Sequence, residues 1–150
     1  MSHAFPLQTL LDLSQLRMDD AAKRLGQLLA SEQEASARLL LLQQYRAEYQ
    51  GRFISSSQQG IGRDQLDNYR SFLLRLDEAI DQARQMTEHS RQRTSLGQQD
   101  WLDKRGQVKA YDTLSQRHQS HQSSLENRKE QKLLDEHAAR RFLSAEKDSS

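Results

Sequence analysis

Ser55-Ser-Ser-Gln-Gln-Gly-Ile-Gly62 is the single cluster of turn-forming residues in this sequence of 150 residues. Serine and glutamine crowd toward two glycines there, and glycine supplies the backbone conformations a reversal needs. On either side, breakers are sparse: the chain holds six glycines and one proline, Pro6, which fits a first helical turn because its missing N–H costs nothing there. Asp64 and Asp67 place carboxylates near the exposed amides that start the second segment. The economical reading is two long helices joined at residues 55–63.

A seven-residue period runs on both sides of that turn. In the first segment Ala4, Leu11, Met18, Leu25, Glu32, Leu39, Arg46 and Phe53 take one core position, and Leu7, Ser14, Ala21, Leu28, Ala35, Leu42 and Tyr49 take the other. Twelve of these fifteen are apolar against a chain average of 35%, so the segment carries a coiled-coil seam. The second segment continues it with Leu66, Leu73, Ile80, Thr87, Thr94, Trp101 and Val108 at one position. Tyr69, Leu76, Ala83, Ser90, Gly97, Lys104 and Tyr111 fill the other. Its middle is small and polar, which makes sense if the segments fold back antiparallel. Pairing around the centre of the turn sets Phe53 against Leu66, Leu25 and Leu28 against Thr94 and Ser90, and Trp101 against Met18 and Ala21. Large side chains then meet small ones, as close packing requires.

The expected architecture is therefore all-α, a single antiparallel two-helix coiled coil or helical hairpin. It has a helix over about 6–54, a turn at 55–63, a helix over about 64–143 and a disordered tail from about 144. A parallel homodimer is the rival arrangement. Residue 6 falls beside residue 113, so roughly the last 30 helical residues overhang as a C-terminal helix without a partner. Polar Ser115, His118, Gln122, Lys129 and Glu136 occupy the core positions there.

The composition narrows the function classes. No cysteine is present, which removes disulfides, thiolate nucleophiles and thiolate metal sites. The longest apolar run, Leu39-Leu-Leu-Leu42, is far short of the roughly 18 residues of a membrane span, and the N-terminus does not read as a secretory signal. With 22 Lys+Arg against 21 Asp+Glu, bulk charge supplies no drive toward nucleic acid. The cations of the second segment are interleaved with carboxylates, the pattern of a solvated face, so no nucleic-acid partner is expected. His118 and His121 have metal-binding spacing, but Leu114 and Leu125 occupy the next places on that face. Asp19 and Asp20 are adjacent and point about 100° apart on a helix, which prevents joint acid–base work. Gly60-Ile-Gly62 lacks the strand and lysine of a phosphate loop. No enzymatic activity, cofactor or metal is expected.

One feature lies off the seam. Phe72, Leu76, Ala79 and Ala83 form a stripe on the flank of the second helix, and Leu76 and Ala83 also belong to the seam. Phe72 either thickens the core beside Tyr49 and Phe53 or opens a docking patch for a partner.

Four stretches resemble a known family. They are Leu10-Leu-Asp-Leu13 with Asp19-Asp-Ala-Ala-Lys-Arg-Leu-Gly26, and Asn68-Tyr-Arg-Ser-Phe-Leu-Leu-Arg-Leu-Asp-Glu-Ala-Ile80. The others are Trp101-Leu-Asp-Lys-Arg-Gly-Gln-Val-Lys-Ala-Tyr-Asp-Thr-Leu114 and Glu126-Asn-Arg-Lys-Glu-Gln-Lys-Leu-Leu-Asp-Glu136. Asn68-Tyr69, Trp101 and Glu126-Asn127-Arg128 are not heptad requirements. From Leu10 to about Arg141 the chain resembles the FliJ family of the bacterial flagellar type III export apparatus. That resemblance implies a coiled coil similar to a rotary-ATPase stalk, cytoplasmic and peripherally associated with the inner membrane at the flagellar base. It implies three partners: the flagellar export ATPase hexamer, whose ring it helps assemble and activate, an FlhA-type export gate protein, and the flagellar export chaperones. Charged contacts to the ring would come from Asp19, Asp20, Lys104, Arg105, Arg117, Arg128 and Arg140. Gate contact would come from Phe72, Leu76, Ala79 and Ala83, although the family pattern has histidine where this chain has Ala83. A generic coiled-coil adaptor and an injectisome ATPase stalk are the alternatives.

Overall fold

The computed structural model describes residues 4–149. Helix α1 spans Gln8–Gln58 and helix α2 spans Arg63–Asp148, with no strand among the described residues. The helices pack against each other as an all-α hairpin, the arrangement that the heptads and the single turn predict.

The boundaries differ from the sequence reading in ways with local causes. Pro6 and Leu7 form a turn ahead of α1, in which the Gln8 amide donates to the Phe5 carbonyl at 3.1 Å. Ser55, Ser56 and Ser57 remain helical because the Ser57 hydroxyl donates back to the Ile54 carbonyl at 2.9 Å, a bond compatible with helix. The reversal is thereby confined to residues 59–62. Gly60 stops α1: its φ is +87°, where a Cβ would crowd the following carbonyl. At the other end, α2 keeps its helical backbone beyond 143 to Asp148, with Lys147 placed favourably in the last turn.

The hairpin divides into two compact units. In the unit Asp19–Asp103, Ala21, Leu76, Ile80, Ala83, Thr87 and Thr94 are buried. Leu25, Leu28, Leu39, Leu42, Tyr49, Phe53, Leu66, Tyr69, Leu73 and Trp101 are half-buried, since a seam two helices wide leaves most of its large side chains one edge open to water. Small residues of α2 meet large ones of α1. A Cβ added to Gly97 would stand 2.5 Å from Leu28 Cδ1, and the Thr94 hydroxyl lies 3.3 Å from the Leu28 carbonyl and 2.9 Å from that of Ser90. Thr87 is satisfied within its own helix by donating to the Ala83 carbonyl at 2.8 Å.

The observed register runs about three residues further along α2 than predicted. Phe53 stacks on Tyr69, with ring centroids 5.0 Å apart, instead of facing Leu66, and Leu28 meets Gly97 and Thr94 instead of Ser90. The cause is the extra helix through the serines, which moves the centre of the reversal along the chain. A step of three or four residues exchanges one core position for the other, so the heptad pattern alone permits both registers.

Charged residues at core positions are paired across the seam. Arg46 donates from Nε and Nη2 to the two carboxylate oxygens of Asp77, and Glu32 lies 3.9 Å from Arg91. On the flank, Arg24 and Asp100 approach to 3.8 Å. Asp77, through its hydrogen bond and its charge, raises the pKa of the Arg46 guanidinium above its ordinary value.

In the other unit, residues 4–18 of the first segment pack on α2 from Lys104 onward. Leu11 and Ser14 are buried, the Ser14 hydroxyl donating to the Leu11 carbonyl at 2.8 Å. Met18, Val108, Tyr111, Ser115, His118 and Gln122 are half-buried. Phe5 and His118 have ring centroids 5.7 Å apart, again further along α2 than the pairing of residue 6 with 113. From residue 123 to 149 every residue is exposed, including Leu133, Leu134, Phe142 and Leu143.

Candidate partner-docking surfaces

The flank of the unit Asp19–Asp103 near the turn is built on an aromatic cluster. Tyr49 packs on Phe72 with centroids 4.3 Å apart and on Tyr69 at 5.0 Å, while Tyr45 meets the Phe72 ring edge-on at 6.2 Å. These rings hold Phe72 half-buried. Phe72 therefore thickens the core with one face and keeps the rest in water.

The other members of the sequence-derived stripe divide differently. Leu76 is 7% exposed and Ala83 is 6% exposed, both turned into the seam, while Ala79 is half-buried. The surface that this flank presents is thus Phe72 and Ala79, extended by Tyr45 and Met86, which are 47% and 58% exposed. Met86 was legible as the next term of the seven-residue spacing 72, 79, 86. Tyr45 was not, because it lies on the other helix and its place beside Phe72 depends on the register.

The charged residues named from the family resemblance do not gather into one stripe. Asp19 and Asp20 are exposed on α1 within the unit Asp19–Asp103. Arg105, Arg117, Arg128 and Arg140 are exposed on α2 in the other unit, and Lys104 is half-buried. At 100° per residue Arg117 and Arg128, eleven positions apart, share a side of α2, whereas Arg105 points elsewhere. His118 and His121 stand apart from any acidic cluster: no group of three His, Asp or Glu side chains among the described residues has metal-holding geometry. The troughs in the surface are shallow, one of them lined by Ser120, Ser123, Ser124, Asn127 and Arg128 of a single helix. No helix among the described residues is long and apolar enough to cross a membrane.

What such a molecule offers is side-chain surface: an aromatic flank near the turn and a helical stretch over residues 123–148 in which every residue is exposed. Comparison with known proteins places that arrangement. The sequence profile of the flagellar FliJ protein matches residues 2–147. A flagellar FliJ protein of Salmonella typhi is 34% identical over 134 residues, covering 89% of this chain and 91% of the relative. One from Escherichia coli (strain K12) has the same identity and coverage. A match over nearly the whole chain, to proteins of nearly the same extent, carries the conclusion that this chain belongs to the flagellar FliJ protein family.

Proposed function

We propose that this chain is a non-catalytic component of the flagellar type III export machinery that binds the export ATPase ring, promotes its assembly and activity, and couples it to the membrane export gate and to substrate chaperones. It would act in the cytoplasm, held at the inner membrane through its partners. The observation that carries the reading is family membership over nearly the full chain, joined to a hairpin whose residues 123–148 are helical yet exposed throughout. A helix of that length without a buried face gains little stability on its own, so a protein surface that covers it would stabilise it by packing. Arg105, Arg117, Arg128 and Arg140, together with Asp19 and Asp20, offer charged contacts to a ring. Phe72 and Ala79 offer apolar contact to the gate.

The test is the ATP hydrolysis rate of the cognate flagellar export ATPase with and without this protein at near-physiological salt, with ring formation followed by size. Stimulation together with larger assemblies is the expected result. If hydrolysis is unchanged and the two proteins do not co-elute, the stalk role is wrong and an adaptor role through the Phe72 flank takes its place.

A further inference from the structure

On the side of α1 turned away from α2, positions 26, 30, 33, 37, 40, 44, 47, 51 and 54 recur at alternating steps of four and three, the spacing that keeps residues on one helical face. All nine are exposed and none carries a charge, nor do Leu29, Ser36, Gln43 and Gln50 beside them, although 29% of the chain is Asp, Glu, Lys or Arg. The charges of this stretch lie elsewhere: Glu32 and Arg46 on the seam, facing Arg91 and Asp77, and Glu34, Arg38, Glu48 and Arg52 on the other side of the helix. The face lies about 120° round α1 from Tyr45, so it is separate from the aromatic flank. Leu29, Leu40 and Ile54 stand on it at 50%, 55% and 51% exposure, where a solvated face would carry charge.

The two ends of this stripe complement each other. At one end Gly26, Leu29, Ala30 and Gln33 line a shallow trough, and these four, at i, i+3, i+4 and i+7, outline the hole that receives a knob from a facing helix. A Cβ at Gly26 or at Gly51 would meet nothing within 4 Å, so each glycine leaves open space on the outside of the hairpin. The other end carries the knob, Ile54. When a second α1 runs antiparallel to the first, each Ile54 enters the other's trough at Gly26, Gln33 fills the hole at Gly51, and Leu40 lies on Gln43 and Gln44 beside a two-fold axis. A parallel order sets glycine on glycine and leaves the holes empty. The strip is about 42 Å long and about 10–12 Å wide, so two copies bury roughly 1,000 Å² in total, the size of a weak, exchanging association.

We infer that the uncharged outer face of α1 over residues 26–54 is a self-association surface, and that its occupant is the same face of a second copy of this chain, antiparallel and related to the first by a two-fold axis close to Leu41. The absence of charge suits a like face, because closing the two together strips water from no ion. One pairing at the edge opposes closure: Glu34 comes toward the second copy's Glu48, once on each side of the axis. Salt screens that repulsion, so the association strengthens as ionic strength rises. The aromatic flank, on another side of α1, stays open in the pair.

The experiment is sedimentation equilibrium of the full chain from about 1 to about 500 µM, where the mass should rise from one copy toward two with a dissociation constant on the order of 100 µM, lower at high salt. Leu40→Glu is expected to weaken association at least about tenfold with Tm retained, because Leu40 is 55% exposed in the single hairpin. Glu48→Lys should tighten it about tenfold and reverse the salt dependence, since two repulsions become two attractions. Leu74→Ser, at an exposed apolar residue of α2, should leave it unchanged. The chain has no cysteine, so single introduced thiols report the order of the helices. Under mild oxidation Leu41→Cys should cross-link to its own copy and Gly51→Cys should not, because antiparallel copies hold the two residues 51 about 28 Å apart. A chain that keeps the mass of one copy throughout that range overturns the inference and leaves the face to a helix of another protein. Association that Leu40→Glu does not weaken places the contact elsewhere, and equal cross-linking at both thiols makes it parallel; either result overturns the inference.

Discussion

Leu76→Ala separates a seam residue from a docking residue. Leu76 is 7% exposed in the interface between α1 and α2, so truncation removes three carbons from a nearly dry site. At about 0.8 kcal/mol per buried methylene the transfer loss is about 2.4 kcal/mol. The seam is only two helices wide, and a cavity there collapses or admits water more readily than one inside a globule. The total therefore falls at about 2–3 kcal/mol, in the lower part of the range for such truncations. For a chain of this size that lowers Tm by about 5–10 °C, readable by circular dichroism melts and checked by a urea titration. Gate binding, measured well below the melting range, should change little, because the removed atoms face α1 and not the solvent. An unchanged Tm combined with lost binding would refute the reasoning and make Leu76 a contact residue despite its burial.

The packing elsewhere makes equally definite demands. Gly97→Val would drive a branched side chain against Leu28, whose Cδ1 already lies 2.5 Å from the position of a Cβ, and should cost about 1–2 kcal/mol after the gain in helix propensity. Adding Leu28→Ala to that variant should cost less than Leu28→Ala alone, a coupling seen in a double-mutant melt series. Arg46→Asp should lower Tm by turning the Asp77 pair into a repulsion, and the exchanged pair Arg46→Asp with Asp77→Arg should recover part of the loss, less so at high salt. Gly60→Ala should cost about 1 kcal/mol through its φ of +87° without touching partner binding, since nothing lies within 4 Å of the added Cβ.

The two helices were legible because the information that specifies them is local and repeated. A seven-residue spacing sustained from Leu11 to Phe53, one turn cluster and an almost complete lack of breakers leave few alternatives. Even Glu32 and Arg46, which look like errors at core positions, are explained once Arg91 and Asp77 are found across the seam. Register was less legible, because a step of three residues keeps apolar side chains on the seam and only the helix end at Gln58 decides between the alternatives. The aromatic flank beside Phe72 suffered from the same gap. Phe72 and Ala79 could be read from one helix, but which stripe members turn inward, and which α1 residue stands beside Phe72, follow from pairing that no periodicity records. The C-terminal stretch had the opposite difficulty: its fading heptad announced a helix with no partner, and nothing in a single chain names what lies against it.

The pairing of Arg46 with Asp77 has a mechanical side. Seven residues to either side of Asp77 on α2 stand Arg70 and Arg84, so sliding one helix past the other by a full heptad, in either direction, replaces a carboxylate by a guanidinium opposite Arg46. A slip in one of those directions also brings Arg93 toward Arg24. Relative sliding therefore meets a like-charge barrier both ways, and a pull or twist applied to one helix is handed to its neighbour instead of being spent on changing register.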